Sequence, residues 1–151
     1  MKRASIILSL LAALLSSACD PGIDYSPKDW SNANEYNFIR KFGPIDLEIA
    51  RVGGFIGSRS MMPAVVIHNH AKSPAVIERA ILKANGLEYA AQSSGKGWEP
   101  VPPDSARHTV LYWTFDKTIE EILKDPVEIT LTIKIGDERT EIRIPMVKTL
   151  G

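Results

Sequence analysis

The chain has 151 residues, the length of one domain, with 18 basic and 18 acidic side chains and no net charge. That balance gives no electrostatic footprint for nucleic acid, and the 44% apolar content is too high for a disordered, solvating chain. A single cysteine excludes an intrachain disulfide framework.

Residues 1–18 have the parts of an export signal. Lys2 and Arg3 form a positive start, an apolar run extends from Ile6 to Leu15, and Ser16, Ser17 and Ala18 are small residues before Cys19. The apolar run falls short of the ~20 residues a spanning helix needs, so a retained anchor helix is disfavoured. The segment Leu15-Ser16-Ser17-Ala18-Cys19 resembles the lipobox of bacterial lipoproteins, with Ser16 where that family most often has leucine. The resemblance implies cleavage between Ala18 and Cys19, a covalent lipid on the Cys19 sulfur, and a membrane as partner through that anchor. Asp20, directly after the cysteine, resembles the signal that keeps such lipoproteins on the periplasmic face of the inner membrane. Loss of Lys2 and Arg3 leaves 16 basic against 18 acidic residues in the mature part. Each buried methylene adds about 0.8 kcal/mol, so two or three acyl chains hold a protein on a bilayer essentially permanently.

Residues 19–44 read as the lipidated N-terminus and a spacer with a helix inside. Ser26 is the predicted N-cap, Pro27 the first helical residue, Arg40 and Lys41 the last turn, and Gly43-Pro44 the stop. Tyr36, Phe38, Ile39 and Phe42 form its predicted apolar edge. Unfolded, 25 residues average roughly 25–30 Å end to end, enough to lift a domain off the lipid headgroups.

From Ile45 to the end, residues 45–151, the pattern is that of strands. Ile45, Leu47 and Ile49 alternate with polar residues; Gly53-Gly54 and Gly57-Ser58 then predict a turn or bulge. Strands are predicted over Ala64 to Asn69 and Ala75 to Ala84, with Asn85-Gly86 as a hairpin turn leading into Leu87 to Ala91. After a loop from Gln92 to Ser105, Thr109, Leu111, Trp113 and Phe115 face one side of a strand. Asp116 is the predicted cap of a short helix carrying Ile119, Ile122 and Leu123. Val127 to Ile135 alternates almost perfectly, Gly136-Asp137 fits a type II′ turn, and Ile142, Ile144 and Met146 return. Short strands with one apolar face each predict a mostly β fold, an antiparallel sandwich with one or two short helices. Ala64 to Asn69 followed by Ser73 to Ile77, and Val101 to Ser105 before the Trp113 strand, resemble immunoglobulin-like or fibronectin-like domains of cell-envelope proteins, a resemblance covering roughly Ile45 to Val147. The paired cysteines of antibody domains are absent.

Candidate sites are few. His68 and His70, two apart on a strand and preceded by Met61-Met62, offer imidazole and thioether donors that suit a periplasmic copper ion; the simpler reading is two solvated strand-end histidines. No G-x-S-x-G elbow occurs, and Gly57-Ser58-Arg59-Ser60 lacks the lysine of a phosphate loop, so no catalytic residues are assigned. Trp98, in a loop rich in Ser, Gly and Pro, is either a partner anchor or a ring folded over one end of the sandwich. The sequence therefore predicts a lipid-anchored, non-enzymatic interaction or assembly module meeting an envelope protein partner, with no cofactor besides the lipid on Cys19. Periplasmic copper binding is the alternative.

Overall fold

The computed structural model describes residues 22–93 and 97–149. Among them the chain is mostly β, as the alternation predicts: thirteen strands and one short helix. The six-stranded sheet runs, edge to edge, β5 (Val52–Phe55), β1 (Gly22–Pro27), β13 (Glu138–Lys148), β12 (Val127–Ile135), β8 (Ala75–Ala84), β9 (Leu87–Ala90). The five-stranded sheet runs β10 (Ser105–Val110), β7 (Ala64–Asn69), β4 (Ile45–Ala50), β3 (Asn37–Phe42), β2 (Ser31–Asn32). A small third sheet joins β6 (Ser60–Met61) to β11 (Trp113–Thr114). All paired strands are antiparallel.

The two large sheets share one core. Ile45, Leu47, Ile49, Val65 and Ile67 from one side meet Leu82, Ile129, Leu131, Ile133, Ile142 and Ile144 from the other, all essentially inaccessible to water. Strict period-two alternation puts them there, because successive side chains of a strand point to opposite faces. In β8 the rule changes phase. Ala75 and Ile77 are buried, and so are Ala80, Leu82 and Ala84, because the pairing with β12 shifts between Thr132 and Ile133. The extra residue at Glu78–Arg79 is a bulge, which restores the inward face after the parity slips.

Both predicted two-residue hairpins form. Ala84 pairs with Leu87 across Asn85 (φ +50°) and Gly86 (φ +77°), the two positive values a type I′ turn requires. Ile135 pairs with Glu138 across Gly136, which alone of the two turn residues has positive φ (+60°), as in a type II′ turn.

The spacer helix is overturned. Residues assigned to it form β1, β2 and β3, and β1 lies inside the six-stranded sheet between β5 and β13. Ser26 is extended and opposite Val147, and Pro27 is opposite Met146. Proline is tolerated because β5 ends its pairing at Tyr25, so the ring meets no strand on that side. Phe38 and Phe42 do reach the core, yet from a strand: a spacing of four puts two residues on one face at period two as well as at period 3.6. Ile39 points the other way and Tyr36 is exposed. Gly53 and Gly54 lie within β5 instead of breaking it. A Cβ on Gly53 would stand 1.7 Å from the Ile23 carbonyl oxygen, so glycine permits β1 and β5 to approach.

The predicted Trp113 strand is divided. Its alternation holds, with Leu111, Trp113 and Phe115 buried, but β10 pairs with β7 whereas β11 pairs with β6. The helix α1 (Ile119–Ile122) is capped by Thr118, not Asp116: the Glu121 carboxylate accepts from the Thr118 backbone N–H at 3.0 Å and from its hydroxyl at 2.9 Å.

Candidate functional site

Beside β10 the outer edge of the five-stranded sheet is open. The Leu111 amide donates to the Pro63 carbonyl at 3.0 Å, so Val110 and Ala64 are a non-hydrogen-bonded pair. Ala106, His108 and Val110 therefore turn their N–H and C=O groups away from β7. Among the described residues, Trp98 Nε1 donates to the Val110 carbonyl at 3.4 Å, and the outward groups of Ala106 and His108 have no hydrogen-bond partner. Trp98 is half-buried and packed against the core beside Val110, the last residue of β10.

The ring makes one wall of a groove of about 690 Å³ lined also by Met62, Gln92, Arg107, Val110 and Tyr112. Met62 is 65% exposed and Val110 40%, so the groove has an apolar floor open to solvent. Arg107 is paired with Glu99 across its rim. At the other sheet's β9 edge, the Gln92 N–H just past the strand donates to the Tyr112 carbonyl at 2.7 Å, and Trp113 Nε1 donates at 3.0 Å to the Tyr89 carbonyl, which faces β8. Among the described residues the outward groups of Glu88 and Ala90 have no hydrogen-bond partner, so this edge is covered past its end and open along β9 itself.

The four residues considered for copper are not brought together. Met61 is buried in the core opposite Trp113. Met62 lies before the start of β7 and His68 near its end, separated by roughly 13 Å of strand or more. His68 lies 3.3 Å from the Glu48 carboxylate, and His70, past the strand end, 3.0 Å from Asp46. Each imidazole thus faces its own carboxylate, and among the described residues no group of three or more metal-ligating side chains converges. Ala18, Cys19, Asp20 and Gly95 lie outside the described residues. Among the described residues no helix is long and apolar enough to cross a membrane.

The groove was only partly legible beforehand. Trp98 is an aromatic in a polar loop and Met62 reads only as a candidate copper donor, whereas Val110 and Tyr112 carry no signal of their own; the four become neighbours only when β10 ends the sheet.

Comparison with protein-family models finds no match, and comparison with curated proteins finds none. Among solved structures the chain is similar to a functionally unknown protein from Listeria monocytogenes EGD-e. The two share 11% identity at a TM-score of 0.53, over 81% of this chain and 86% of that one. It also aligns with the structural-genomics target SoR45, with 13% identity and a TM-score of 0.37, over 85% of this chain and 83% of that one. The first likeness establishes a shared mostly β architecture and nothing about activity.

Proposed function

We propose that this chain is a bacterial cell-envelope lipoprotein, held to the periplasmic face of the inner membrane through lipid on Cys19. Its immunoglobulin-like sandwich is a non-enzymatic docking module for an envelope protein. The observation that carries the docking role is the open β10 edge beside the Trp98 groove. Outward N–H and C=O groups of Ala106 and His108 are a template on which an extended segment of a partner adds a strand, while Met62, Val110 and Tyr112 receive its side chains. The lipid confines the module to the membrane surface, where the effective concentration of a membrane-bound partner is raised without any further contact. The sequence Leu15 to Asp20 supports the anchor and its inner-membrane address.

The test is photocrosslinking in cells from position 62, with a benzoylphenylalanine in place of Met62. A single dominant adduct is expected, reduced at least several-fold by Trp98→Ala at unchanged protein level. Capture unaffected by Trp98→Ala and by Val110→Pro would remove the β10 edge from the account.

A further inference from the structure

We propose that the turn carrying Phe55 and Ile56 enters the surface of the bilayer that holds Cys19, so that the sandwich stands end-on against the membrane. This rests on the lipid-anchor reading above. The observation is a register: Gly22, the first residue of β1, lies directly opposite Phe55, the last residue of β5. Gly22 is three residues from Cys19, and three residues span at most roughly 11 Å. A headgroup layer is about 5–8 Å thick, so a lipid on Cys19 puts Phe55 within reach of the interface when the link to Gly22 runs along the membrane surface.

What stands there suits the interface. Phe55 is 73% exposed and Ile56 48% exposed, at the tip of a turn closed by the Ser58 N–H donating to the Phe55 carbonyl at 3.0 Å. Gly57 supplies the positive φ (+86°) that a type II turn needs at its third position. The tip is braced from behind. The Glu120 carboxylate accepts the Gly57 N–H at 3.0 and 3.1 Å, and the Ile119 N–H donates to the Ser58 carbonyl at 2.8 Å. Two large apolar side chains are therefore held outward on a pre-shaped turn, beside the point where the lipid chain would leave the fold. Arg59 and Lys117 act on Glu121 beside Glu120, and Asp24 lies opposite Gly53, so the surroundings carry no excess of positive charge that would select anionic lipid. Burying two side chains of this size favours one orientation of a domain already tethered.

Nitroxide depth measurement tests this on the full mature lipoprotein. In it the Cys19 sulfur is a thioether, so Ile56→Cys or Asp137→Cys carries the only reactive thiol. Asp137 lies in the turn at the opposite end, roughly 40 Å of strand from Gly22. In vesicles of phosphatidylethanolamine and phosphatidylglycerol, the label at 56 should be reached by oxygen in preference to a polar nickel complex. The label at 137 should show the reverse. Phe55→Ser should make the label at 56 at least several-fold more accessible to nickel, with an unchanged melting temperature. Vesicles of phosphatidylcholine alone should give the same depth. Equal nickel access at 56 and 137 overturns the proposal, and so does protection of 56 from both reagents, which would mean protein covers the tip. Two labels per chain would show a free Cys19 thiol; the anchor itself then fails, and the orientation falls with it.

Discussion

The two ends of the sandwich are built to different rules. At the Gly136–Asp137 end, the hairpin closes on a two-residue turn backed by the Gly136 N–H to the Pro74 carbonyl, and the nearby surface is polar, with His70 against Asp46. At the Gly22 end, a turn braced by α1 displays Phe55 and Ile56 to solvent, while Gly53 lets β5 lie against β1. The first end shows polar groups paired with one another. The second spends hydrogen bonds on presenting apolar surface, an arrangement that folding alone does not require, because an exposed turn folds equally well with polar residues at its tip.

Substitutions break or sharpen this contrast. The largest effect is expected from Gly53→Ala. No side-chain rotation relieves a Cβ set 1.7 Å from a backbone oxygen, so β5 must leave β1, and a loss of about 4 kcal/mol or more is expected in urea unfolding. A loss under about 1 kcal/mol would show that the β1–β5 contact gives way easily. Tyr25→Phe is next. The phenol of this buried residue donates to the Leu123 carbonyl at 3.2 Å, and removing it leaves that acceptor unpaired, costing about 1–3 kcal/mol. Burial raises the Tyr25 pKa above its ordinary 10.0, and Asp125 raises it further. The folded state therefore holds the phenolic proton more tightly than the unfolded chain. This stabilisation is complete below pH 10.0 and is lost as pH rises through the higher folded value. The wild-type chain should accordingly lose stability in alkali more steeply than Tyr25→Phe.

Gly136→Ala tests the polar end. Positive φ and a Cβ contact at 3.2 Å with Ser73 Oγ make a cost of about 1–2 kcal/mol the expected outcome, less than that of Gly53→Ala because the serine can turn aside. Smallest of all, Phe55→Ser and Ile56→Ser should change stability by no more than about 0.5 kcal/mol in solution, since neither side chain belongs to the core. A larger loss would mean that the tip supports the fold itself.

The brace can be followed by pH. Its hydrogen bond from Gly57 holds the Glu120 carboxyl below the ordinary 4.5, and contacts from Thr118 do the same for Glu121. For carboxylates lowered in the folded state, the contribution is present above pH 4.5 and disappears as pH falls through the lower folded value. The Gly57 amide resonance should therefore titrate with a midpoint below 4.5 and stop responding in Glu120→Gln. A midpoint at or above 4.5 would remove the brace.

Local chemistry made much of this fold readable. Asn85-Gly86 and Gly136-Asp137 place two turns whatever surrounds them, because their backbone angles are available to those residues and few others. The alternation from Val127 to Ile135 likewise determines which face is buried. The lipid-anchor reading also rests on sequence alone, on residues 15–20. Residues 26–42 carry a helix pattern that the fold overrides: Ser26-Pro27 at one end and Gly43-Pro44 at the other match helix punctuation, and Phe38 and Phe42 fit both periods. The decision fell to β13 and β4, whose edges needed partners. Backbone groups beside an unfinished sheet gain more from pairing across it than from a weak isolated helix.

The same long-range pairing decided everything that bears on the candidate sites. Sequence spacing put Met61 and Met62 near His68 and His70; strand direction separated them. It gave no reason to connect Phe55 with Gly22, or Met62 with Trp98, since those neighbours lie far apart along the chain and meet only through sheet register. Turns and strand faces depend on residues a few positions apart, which a sequence displays. An edge, a groove and an exposed tip depend on which strands end a sheet, and that is settled only when the whole core closes.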